Sequence, residues 1–172
     1  KTAELAAREA TADGINWTFA PMVDITRDAR WGRTMEGAGE DPYLGSLIAE
    51  ARVKGFQGGD NWQTLSSPHT LLACGKHFAG YGAVESGKDY NTAELSMHTL
   101  RNVYLPPYEA TLNAGVGSIM ASLNEINGVP ATADKWLLTE VLRKERGFNG
   151  LLVSDYTGIN ELVRHGGAKD DK

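Results

Sequence analysis

Four short apolar runs, each separated from the next by a stretch with helical spacing, constrain this chain more than any other feature. They are "INWTFAPMVD" (15–24), a β-rich run that reads as ending at Pro21, "TLLACGKHF" (70–78), "VGSIMASLN" (116–124) and "GLLVSDY" (150–156). Unbroken apolar runs of this length fit strands buried on both faces, as in a parallel sheet covered by helices. The intervening segments supply the helices. In "DPYLGSLIAEARVKGFQG", Asp41 is placed to cap a helix that has Pro42 at its first position. "ELSMHTLRNVYLPPYEATLNAG" is helical but broken at Pro106-Pro107, "DKWLLTEVLRKERGF" reads as an amphipathic helix from Asp134 to near Gly147, and "GINELVRHGG" begins another.

The pattern predicts βα units, with parallel strands near residues 16–20, 71–76, 117–122 and 150–154 and helices between them. A closed barrel of eight such units takes about 250 residues. The expected fold class is therefore α/β, a partial (β/α)8 TIM-like barrel in a single unit over residues 1–172. The chain opens inside the helical pattern "KTAELAAREATADG" and closes on the polar run "GGAKDDK", and it reads as a piece of something longer.

Composition removes other classes. A net charge of -5 argues against a nucleic-acid binder, which usually shows a basic face. No apolar run approaches the ~20 residues of a bilayer span, so no membrane insertion is expected. The single Cys74 forbids an intrachain disulfide. His69, His98 and His165 show no metal-ligand spacing and read as surface or packing residues. No GxGxxG follows a run, so a dinucleotide site is unsupported, and no cofactor is expected.

In βα folds the functional groups sit at the carboxyl ends of the strands. Here three runs end in polar groups: Lys76 and His77, then Ser122 and Asn124, then Ser154 and Asp155. Polar residues also mark any strand that reaches solvent, and Asp155 could simply cap the next helix. Lys76 and His77 together offer donors and an acceptor suited to hydroxyl-rich ligands, and their positive character favours an ionised carboxylate nearby.

The stretches "APMVDITRDARWGRTMEGAGEDPYL", "KHFAGYGAVESGKDYN" and "NEINGVPATADKWLLTEVLRKERGFNGLLVSDY" together resemble the amino-terminal barrel domain of the glycoside hydrolase family 3 β-glucosidases. The resemblance runs along nearly the whole chain, in the family's order. It implies a retaining exo-glycosidase that removes terminal β-D-glucosyl or xylosyl residues, with Asp155 as nucleophile. Arg33, Lys76 and His77 would hold the sugar, and Met120 and Tyr156 would line its site. Arg30 and Trp31 would shape the loop that carries Arg33, and Asp89 and Asn91 the loop after His77. The acid/base glutamate is expected in a following α/β sandwich domain outside this chain.

The implied partners are a β-linked oligosaccharide or glucoside, that domain of the same polypeptide, and, in a homodimer, a second copy. A periplasmic or secreted location in a bacterium is implied too. The loop "KHFAGYGAVESGKDYN" lacks the histidine of the members that cleave N-acetylglucosamine. Two other readings fit the residues: a sugar-binding or structural barrel module without chemistry, and a barrel aldolase with Lys76 as a Schiff-base lysine.

Overall fold

The computed structural model describes residues 1–59, 62–164 and 167–170. His165 and parts of the closing polar run lie outside the described residues. In chain order the elements are α1 (Thr2–Ala12), α2 (Pro42–Gln57), β1 (Cys74–Phe78), α3 (Met97–Thr99), α4 (Pro106–Asn113), β2 (Ser118–Ala121), a hairpin of β3 (Glu125–Ile126) and β4 (Val129–Pro130), β5 (Leu151–Ser154) and α5 (Gly158–Arg164).

The sheet has the order β1-β2-β5, and both pairings are parallel. Three of the four apolar runs are thus the strands that their patterning predicts. The first run lies along the free side of β1 but does not form a regular strand. It pairs in parallel through isolated bridges, Trp17 with Leu72 and Met22 with Lys76. Pro21 interrupts the ladder because it has no N–H to give, although its carbonyl still accepts from Lys76 N at 3.1 Å. Parallel pairing brings the carboxyl ends of all four runs to one rim, as a partial barrel requires.

The helices follow their sequence signals. Asp41 caps α2, its Oδ1 accepting from Tyr43 N at 2.7 Å and Leu44 N at 2.9 Å. The helix ends at Gly58, with φ of 80°. Between α3 and α4 the chain makes one wide π-type turn, Leu100–Tyr104, and Pro106 and Pro107 then open α4, where missing N–H groups cost little. The helix Trp136–Glu145 is also wound wide, with Arg146 N donating to Val141 O. Its buried residues Leu137, Val141 and Leu142 are spaced four and five apart, as a π-type face requires. Asp134 Oδ1 accepts from Leu137 N at 3.1 Å at its start.

The core lies between the sheet and the helices. Val23, Ile25, Phe78, Ile119, Leu137 and Val141 are all buried in it, and α2 packs on α1 and α4. Two close approaches position the rim. A Cβ on Gly82 would sit 2.1 Å from Ile25 O, so the loop after β1 lies tight against the segment that follows the first run. Gly87, at φ of 64°, faces Trp31 N so closely that a Cβ would stand 2.6 Å away. The loop after β1 and the loop carrying "RWGR" are therefore locked backbone to backbone.

Candidate active site

Asp155 leaves the end of β5 with its carboxylate partly open, 18% exposed. Its Oδ1 accepts from Tyr156 N at 2.7 Å, and its Oδ2 lies 3.7 Å from His77 Nε2. One oxygen is thus held by backbone, and the other faces an imidazole. His77 is 1% exposed, at the end of β1. On its other side Nδ1 is 2.9 Å from Asp24 Oδ2, and the same oxygen accepts His77 N at 3.0 Å. Tyr108 Oη, from α4, reaches Asp24 Oδ1 at 2.9 Å and also the His77 carbonyl. A line of groups therefore runs from the helix layer through Asp24 and His77 to Asp155.

Lys76 precedes His77, half-buried on β1. Its charge reaches Glu36, whose carboxyl is held below the ordinary range chiefly by hydrogen bonds from Arg33 and also by Lys76 and His77. Arg33 grips Glu36 through Nε at 2.7 Å and Nη2 at 2.8 Å, and that grip drives its guanidinium above its ordinary value. The guanidinium also lies over the Tyr81 ring, 5.6 Å from its centroid. The Tyr81 ring in turn meets His77 edge-on at 5.0 Å. Asp89 accepts from Tyr81 Oη at 2.5 Å and from Trp31 Nε1 at 3.0 Å. Burial, then Asp89, pushes the Tyr81 phenol up. Asp89 thereby ties the loop after β1 to the loop carrying Arg33.

Of the residues singled out from sequence, Lys76, His77 and Asp155 share one rim, and Arg33 reaches them through Tyr81 and Glu36. Met120 is buried on β2 in register with Val153. Tyr156 is 85% exposed. The polar end of β2 serves the fold. Ser122 and Asn124 are buried and bonded to each other, and Asn124 Nδ2 donates to Glu125 O at 3.1 Å. Asp155 Oδ1 accepts from the adjacent Tyr156 N, which lies before the start of α5 at Gly158. His69 and His98 are exposed. The residue that sequence reading missed is Asp24. It is the polar end of the first run, and the same strand-end rule would have found it had Pro21 not been taken as the stop.

A model of the Glycosyl hydrolase family 3 N terminal domain matches residues 1–172. The chain belongs to glycosyl hydrolase family 3. This family 3 chain is 52% identical over 166 residues to a periplasmic beta-glucosidase of Salmonella typhimurium, covering 96% of the chain and 21% of the relative. It is 42% identical over 164 residues to a beta-xylosidase of Formosa agariphila, covering 94% of the chain and 22% of the relative. A solved beta-glucosidase from Listeria innocua superposes with a TM-score of 0.94 at 46% identity, over 98% of the chain and 23% of that structure. The family 3 chain therefore spans about a fifth of the length of the relatives it matches. Among the described residues no helix is long and apolar enough to cross a membrane.

Proposed function

We propose that this chain carries the nucleophile half of a retaining β-glycosidase acting on terminal, non-reducing β-D-glucosyl or xylosyl residues. The observation that carries the reading is Asp155: a carboxylate at a strand end, one oxygen held by backbone, the other facing a buried imidazole on the same rim as Lys76. In the first step an Asp155 oxygen attacks the anomeric carbon as the bond to the leaving oxygen breaks, and a general acid protonates that oxygen. In the second, water attacks the same carbon, the Asp155 ester bond breaks, and the acid, now a base, takes the proton from the water.

Lys76, His77 and Arg33 hold the sugar hydroxyls, and Met120 and Tyr156 wall the sugar site. Asp24, with a side chain 0% exposed, has no face for a leaving group, and Glu36 is committed to Arg33. By the family resemblance, the acid/base carboxyl is a glutamate in a following domain of the same polypeptide. The similarity to a periplasmic relative supports a periplasmic location.

Azide separates the nucleophile from the acid/base. Asp155→Gly in the full-length polypeptide should lose hydrolysis of an aryl β-glucoside, and added azide should restore turnover as the α-glycosyl azide, because the anion enters where the carboxylate stood. A β-glycosyl azide, or no loss of hydrolysis, would refute the assignment.

A further inference from the structure

Asp24 is a buried carboxylate that the proposed chemistry leaves unused, yet its acceptors are filled almost wholly by His77 and by what holds His77. Oδ2 accepts the His77 backbone N–H at 3.0 Å and lies 2.9 Å from Nδ1 of the same residue. Oδ1 is met by Tyr108 Oη at 2.9 Å. A buried carboxylate is costly unless its oxygens are satisfied, and here the main partner is one histidine on the neighbouring strand, 53 positions away in sequence. The groups facing that imidazole are Asp24, Asp155, the Tyr81 ring and, beyond them, Lys76 and Glu36.

We infer that Asp24 is a positioning residue, which keeps the proton of His77 on Nδ1 and so presents Nε2, in one fixed direction, to Asp155 and the sugar. The inference rests on the glycosidase reading for the part played by Nε2. The proton between Oδ2 and Nδ1 belongs on nitrogen, because imidazole is a stronger base than carboxylate and Oδ2 already accepts the backbone N–H. A ring flip would place a carbon against Oδ2 and break a charge-assisted bond. Nε2 then stands 3.7 Å from Asp155 Oδ2, too long for a direct bond, and as an acceptor it can take the proton of a sugar hydroxyl beside the carboxylate. The backbone bond adds a second hold: Asp24 fixes the main chain of His77 as well as its ring, so both angles that aim Nε2 are set by one carboxylate.

The test is a cycle of Asp24→Asn, His77→Gln and the double variant in the full-length enzyme. Asn keeps the volume but removes the charge that stiffens the Nδ1 bond. Asp24→Asn should lower kcat on an aryl β-glucoside about 10- to 100-fold, the range seen when a ligand's orienting partner is removed. A 2-deoxy-2-fluoro glucoside should still titrate one site per chain, which shows that the folded fraction is unchanged. In the His77→Gln background, Asp24→Asn should cost less than about threefold, because groups acting as a unit are not additive. Full additivity, or a loss of titratable sites with unchanged turnover per site, would overturn the inference. Histidine-selective 15N NMR of the unaltered enzyme decides the case even if the Asp24→Asn variants do not fold. A proton on His77 Nδ1, assigned by its loss in His77→Gln, supports Asp24 as the positioning group, and an unprotonated Nδ1 overturns it. That readout uses no substrate, so it stands apart from azide rescue and separates a failure of Asp24 from a failure of the glycosidase reading.

Discussion

The sugar-binding role proposed for Arg33 would fall to a side chain that is already held in place. Glu36 holds two of its nitrogens and Tyr81 lies beneath its plane, so much of the side-chain entropy that binding would cost is already spent. Arg33→Ala should therefore lower kcat/KM about 100-fold, with both kcat and KM affected, because contacts to hydroxyls can tighten in the transition state. Glu36→Gln should act more weakly, raising KM about tenfold through a looser guanidinium. The Glu36 carboxyl is held below its ordinary value of 4.5, first by Arg33. A depressed carboxyl stabilises the fold above its unfolded value and loses that contribution only as pH falls through the lower folded value. The Arg33 grip should accordingly survive acidification through the ordinary carboxylate range, and KM measured against pH should stay flat there. Asp155, Lys76, His77 and Arg33 were legible because each closes or follows an apolar run or sits in a distinctive motif. Asp24 was not, because Pro21 masked where its run ends, and its role depends on Tyr108, 84 positions away in sequence.

At the scale of elements, the three regular strands could be read from their patterning, because strands buried on both faces need nothing but apolar side chains. The β3–β4 hairpin was missed. Its signal is the Asn127-Gly128 pair, both at positive φ, which is the combination a tight primed turn demands. Its two-residue strands were too short to show alternation. The wide π-type winding after Met97 and along Trp136–Glu145 was missed too, since four- and five-residue spacing blurs into ordinary helical spacing over two or three turns. What no pattern shows is the contact of Gly87 with the backbone of Trp31. Gly87→Ala places a Cβ against main chain at a left-handed φ, and neither can yield. It should lower stability by about 2 kcal/mol and loosen the Arg33 loop, read as a lower denaturant midpoint together with a higher KM. An unchanged midpoint would mean the two loops are not locked in this way.

The whole molecule presents unfinished edges. Among the described residues no strand pairs with the outer side of β5, whose Leu151 is 49% exposed. Exposed strand edges with apolar neighbours invite pairing with other chains. The 172-residue polypeptide alone should therefore bind a hydrophobic dye and elute as concentration-dependent oligomers on size-exclusion chromatography. A monomer with a sharp cooperative melt would contradict that. The chain covers only 21% to 23% of the Salmonella, Formosa and Listeria relatives. The account stands or falls on which atom of this chain bonds to the sugar. The direct measurement is to treat the full-length protein with a 2-deoxy-2-fluoro β-glucoside, which slows release of the glycosyl-enzyme ester, and to map the adduct by peptide mass spectrometry. The account predicts one sugar per chain on the peptide containing "GLLVSDYTG", attached at Asp155. An adduct on any other residue, or hydrolysis that proceeds undiminished in Asp155→Asn, would contradict it.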